Sequence, residues 1–140
     1  MSARGKARKQ ALDILFETDI RGTSPMTILD TRVSNETDPD FPAIRSFAAE
    51  LISGVSEHRR KIDELIATYA KGWDMDRLPT VDRNILRLAI FEILWNEAVP
   101  DAVAIDEALN LAKELSTDES AGYIHGVLGR ISSIKGDLAL

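Results

Sequence analysis

Arg4, Lys6, Arg8 and Lys9 place four cations, and no acid, in the first nine residues. Such side chains bind phosphate, the ammonium as a point charge and the guanidinium as a fork onto two oxygens. They head a segment with helical spacing, "SARGKARKQALDIL". A helix already carries the positive end of its dipole there, so each cation is unfavourable by a few tenths of a kcal/mol. A phosphate backbone bound at that terminus would offset the cost. A solvated, solubilising tail is the competing reading, and the residues alone leave both open. At about 100° per residue, Lys9 and Phe16 share a flank away from Ala7, Ala11 and Ile14. An aromatic beside cations suits an unstacked base, so single-stranded RNA fits better than duplex DNA. Packing at the core edge beside Leu12 is the alternative for Phe16.

Other chemistries find little support. There is no Cys, which excludes disulfides, thiolate metal sites and Cys nucleophiles. His58 sits in "SEHRRK" and reads as part of a solvated face; His125 adjoins an apolar stripe and reads as a partly buried imidazole. No Glu-x-x-His, His-Glu-x-x-His, G-x-x-x-x-G-K or G-x-S-x-G motif occurs. The expectation is a protein without catalytic residues, cofactor or metal. Glu92 is an acid inside the most apolar segment; a buried carboxylate needs a partner, and an exposed strip of the helix is the preferred placement.

The elements that must hold these residues read as helices. The 140 residues suit one domain, or two small subdomains sharing a core, approximately 1–78 and 79–140. The formal net charge is −6, so the basic head sits on an acidic body and any nucleic-acid contact must be local. No apolar run is long enough to span a bilayer and no leader is read, so a cytoplasmic address is expected. Ala7, Ala11, Ile14 and Leu15 form the first stripe, "RGTSP" ends it, and "MTILDTRV" reads as a short second helix. Asp40 is a candidate N-cap with Pro42 in the following turn. Gly54 and Ser56 are expected to interrupt or bend the next helix, and Thr80 to cap "VDRNILRLAIFEILW" (81–95), the central and most buried one. Two more helices follow, with "STDES" between them supplying caps. Gly122, Gly126 and Gly129 imply close helix packing, since each otherwise costs about 1 kcal/mol relative to Ala. The expected fold is an all-α bundle of six or seven helices.

Three segments together resemble one family. "ARKQALDILFETD" is similar to the arginine-rich first helix of the NusB transcription antitermination factors, "VDRNILRLAIFEIL" to their central helix, and "VPDAVAIDEALNLAKELSTDESAGYIHGVLGRI" to their C-terminal segment. Their order and spacing carry the resemblance. It implies a non-enzymatic all-helical protein of two helical subdomains that binds the single-stranded boxA element of nascent ribosomal RNA transcripts together with ribosomal protein NusE, in the RNA polymerase antitermination complex. It also implies RNA contacts at Arg4, Lys6, Arg8, Lys9 and Phe16, with Arg87, Glu119 and Ser120 near the RNA and Asp82 and Arg83 on the NusE side. Asp106, His125 and Gly129 depart from the family pattern, and Gly5 thins the basic cluster. Two alternatives stand beside this reading. One is an accessory RNA-binding domain of an RNA-modifying enzyme. The other is a homodimeric protein-interaction module, for family members occur as monomers and as dimers.

Overall fold

The computed structural model describes residues 2–34, 43–72 and 77–140. Among them are seven α-helices: α1 (Ala3–Arg21), α2 (Pro25–Ser34), α3 (Ser46–Glu57), α4 (Arg59–Tyr69), α5 (Thr80–Trp95), α6 (Asp101–Leu115) and α7 (Asp118–Ile134), with a 3₁₀ turn at Lys135–Asp137. No strand occurs among the described residues. The expected all-α bundle is therefore the observed architecture. The N-cap reading of Asp40 and Pro42 lies outside the described residues.

The α1 helix starts because Ser2 Oγ accepts the Gly5 amide at 3.0 Å, and it stops where Gly22 takes the left-handed conformation (φ 68°). Ala7, Ala11, Ile14 and Leu15 are all buried, as their spacing requires. Helix α5 forms the centre and packs against α1, α3, α4, α6 and α7. With neighbours on so many sides, ten of its residues are buried, among them Asp82, Asn84, Arg87 and Glu92. No helix among the described residues is long and apolar enough to cross a membrane.

Several local expectations are corrected. Gly54 and Ser56 lie within α3, which runs unbroken to Glu57; the chain turns at His58 instead. Gly54 is needed for proximity: a Cβ there would sit 2.1–2.7 Å from three atoms of the Phe91 ring. Gly122, Gly126 and Gly129 make no such approach, and a Cβ on any of them would meet nothing within 4 Å. Thr80 is a helical residue rather than the cap; Pro79 holds the cap position without a side-chain hydrogen bond. The "STDES" segment does cap α7, for Thr117 Oγ1 accepts the Ser120 amide at 2.9 Å.

Candidate nucleic-acid interface

The basic head divides in two once α1 is packed. Arg4 and Lys6 are exposed. The Arg4 guanidinium lies over the Phe47 ring, 5.0 Å from its centroid, which restrains the side chain while leaving it in water. Lys9 is half-exposed and donates to Glu114 of α6 at 2.8 Å. The hydrogen bond to Glu114, and then its charge, raise the Lys9 pKa above the ordinary lysine value, so the cation is secure at neutral pH. Phe16 is half-buried. Lys6, Lys9 and Phe16 thus occupy the outer side of α1, where the helical spacing puts them.

Arg8 does not share that face. It is only 3 % exposed, and its Nε and Nη2 donate to the Glu92 carboxylate at 2.8–3.1 Å. Its Nη1 lies 3.9 Å from Glu107, and its guanidinium also faces Phe47 at 5.2 Å. Glu92 is correspondingly buried, which corrects its expected placement on an exposed strip. The stripe of Ile85, Leu88 and Ala89 carries Glu92 inward, and Arg8 supplies the counter-charge.

The other candidate residues gather at the opposite end of α5. Asp19, near the end of α1, accepts from Asn84, Arg83 and Arg87, whereas Arg8, near its start, meets Glu92; α1 and α5 are antiparallel. Asp82 and Glu92 are ten positions apart, about 15 Å along the helix. The basic head and the α5 N-terminus are therefore two separate places. Arg87 is buried, bound to Asp63 at 2.9 and 3.1 Å and to Asp19 at 2.9 Å, and it ties α1 and α4 to α5. Arg83 is half-buried beside Asp19. Asp82 is buried, and its Oδ2 accepts from Ser120 Oγ at 2.7 Å while its Oδ1 has no hydrogen-bond partner among the described residues. Asp82, Glu119 and Ser120 do come together. With Leu78, Pro79, Thr117 and Tyr123 they line a cleft of about 200 Å³ between the starts of α5 and α7. Burial pushes the Tyr123 phenol pKa up.

Both histidines differ from expectation. His125 is exposed, because position 125 falls about 100° off the stripe of Ile124, Val127, Leu128 and Ile131. His58 is not on a solvated face: its ring stacks on Trp95 at 4.0 Å with 10° between the planes. Among the described residues no group of three or more His, Asp or Glu is arranged to hold a metal ion. Two residues at the interface carried no such signal in the sequence. Phe47 and Glu114 each meet the basic head only through tertiary packing.

A model of the NusB family matches residues 5–133. This chain belongs to the NusB family. The transcription antitermination protein NusB of Saccharopolyspora erythraea is 49 % identical over 135 residues, covering 96 % of this chain and 89 % of that protein. That of a Nocardioides species is 48 % identical over 139 residues, covering 99 % of this chain and all of the other. Among solved structures, T. maritima NusB superposes with a TM-score of 0.79 at 32 % identity, covering 98 % of this chain and 99 % of that one. A chain in the crystal structure of antitermination factors NusB and NusE in complex with dsRNA superposes with a TM-score of 0.76 at 26 % identity, covering 93 % and 95 %. The NusB resemblance read from three segments thus extends over nearly the whole fold.

Proposed function

We propose that this chain is a transcription antitermination factor that binds single-stranded boxA RNA of nascent ribosomal RNA transcripts together with ribosomal protein NusE, in the cytoplasm and without catalysis. The observation that carries the reading is the outer side of α1. On an acidic protein it presents Lys6 and Lys9, with Phe16 about two turns beyond Lys9 and Arg4 exposed at the helix start over Phe47, in a chain whose relatives are named for antitermination. A solved relative of the same fold is described in complex with NusE and dsRNA, which supports the partner and the RNA-binding class.

On this reading the residues do different work. Arg4, Lys6 and Lys9 reach phosphates, and the half-buried Phe16 offers a ring for a base to stack on. Arg8 holds α1 in place through Glu92 and acts on RNA only by positioning its neighbours. The cleft of Asp82, Glu119 and Ser120 serves NusE and the adjoining RNA, while Arg83 and Arg87 hold the start of α5 in register.

A fluorescence-anisotropy titration with boxA and scrambled RNA, with and without NusE, tests this. The triple variant Arg4→Ala/Lys6→Ala/Lys9→Ala is expected to bind boxA RNA more weakly. Its plot of log affinity against log salt should be shallower by about 0.7 for each phosphate that is no longer neutralised. Its circular dichroism should match the wild type. Equal affinity and slope in the two proteins, or no preference for boxA RNA in either condition, would overturn the reading.

A further inference from the structure

Glu114 belongs to α6, yet its carboxylate lies on the basic side of α1. It takes a hydrogen bond from Lys9 Nζ at 2.8 Å, across 105 positions of sequence. The two side chains are 39 % and 44 % exposed, so the pair faces water and can be exchanged by an anion from solution. Asp13, one turn beyond Lys9 on α1, adds a further negative charge acting on the same ammonium. Glu107, seven positions before Glu114, stands 3.9 Å from Arg8. Helix α6 thereby sets acids against the α1 cations along its length.

A carboxylate hydrogen-bonded to an ammonium supplies the charge and the acceptor that a phosphate oxygen would supply. We propose that Glu114 is an intramolecular stand-in for phosphate: it holds Lys9 in the free protein, RNA displaces it, and the exchange sets the affinity of the site. The inference rests on the RNA-binding reading and adds a restraint to it. RNA reaches Lys9 only by breaking the bond to Glu114, so this cation contributes less than Lys6, which has no carboxylate hydrogen-bonded to it among the described residues. Arg4 and Lys6 then capture the strand first, and Lys9 closes on it once Glu114 has been released.

The test is a double-mutant cycle on the full chain, read by RNA titration at fixed salt. Glu114→Gln keeps the shape of the side chain and removes its charge. It is expected to tighten binding of boxA and scrambled RNA alike, by about two- to fivefold. In a Lys9→Gln background the same change should have no effect. Glu64→Gln, at an exposed acid on α4, controls for the removal of one negative charge and should leave affinity unaltered. Wild-type affinity in Glu114→Gln would overturn the restraint, as would an equal gain in the Lys9→Gln background or in Glu64→Gln. If Glu114→Gln changes nothing while the triple cation variant binds more weakly, the restraint falls and the RNA reading stands. If neither the wild type nor Glu114→Gln binds RNA, both fall.

Discussion

Arg8 and Glu92 form an ion pair between α1 and α5 in which both side chains are at most 4 % exposed and three N–H···O hydrogen bonds run from 2.8 to 3.1 Å. The pair is what turns one arginine of a basic head inward while its neighbours face water. Arg8→Met should cost about 3–5 kcal/mol in urea unfolding, because it strands the buried Glu92 charge, and Glu92→Leu should cost less, because Glu107 still lies 3.9 Å from Arg8. The double variant should recover most of that stability, since two apolar side chains replace two desolvated ions. An Arg8→Met variant within about 1 kcal/mol of wild type would contradict the burial of the pair.

Gly54 and Gly126 should respond to alanine with opposite signs. Gly54→Ala forces a methyl group into the Phe91 ring and should destabilise by about 1–3 kcal/mol. Shortening the obstacle with Phe91→Leu should relieve part of that penalty. Gly126→Ala meets open space within a helix and should stabilise by about 0.5–1 kcal/mol. Thermal melts of the variants read both effects, and a lower Tm for Gly126→Ala would argue against the open position.

Acid should release Asp19. Burial acts to raise its pKa, but the hydrogen bond from Asn84, the charge of Arg87 and the hydrogen bond and charge of Arg83 outweigh it, and the pKa is lowered. A carboxyl whose folded pKa lies below its unfolded value stabilises the fold above that unfolded value. Its contribution then fades as pH falls through the folded one. Asp19→Asn should therefore be less stable than wild type at pH 7, and the difference should shrink as the pH drops below the ordinary aspartate value of 3.8. A difference that is constant with pH would remove the charge network as its cause.

Thr117 should matter more than its exposed position suggests. Its hydroxyl oxygen accepts the Ser120 amide and starts α7. Thr117→Ala should cost about 1 kcal/mol, and Thr117→Ser should restore most of it. Ser120→Ala removes the hydroxyl that donates to Asp82 Oδ2 and should cost about 1–3 kcal/mol, because the buried acid is left without that hydrogen bond. Denaturant unfolding of the three variants gives the order.

Local patterns carried far because they depend on neighbours within a turn or two. The stripe Ala7, Ala11, Ile14 and Leu15 showed which side of α1 faces inward, and the apolar breadth of 81–95 marked the central helix. The caps of "STDES" and the stop at "RGTSP" were equally local. Glycine was less legible. Close packing was expected at Gly126 and a break at Gly54, but the position of Phe91, 37 residues away, puts the close approach at Gly54.

By itself the sequence determined an all-helical bundle, the family and the presence of a cationic patch on an acidic chain, since periodicity, segment order and charge are properties of the chain. Only the tertiary structure decided which cations remain available to a ligand. Arg8 and Lys9 are adjacent in sequence and alike in charge. One helical step of about 100° sends Arg8 to Glu92 in the core and leaves Lys9 in water against Glu114. Those partners lie 84 and 105 positions away, where packing alone can bring them.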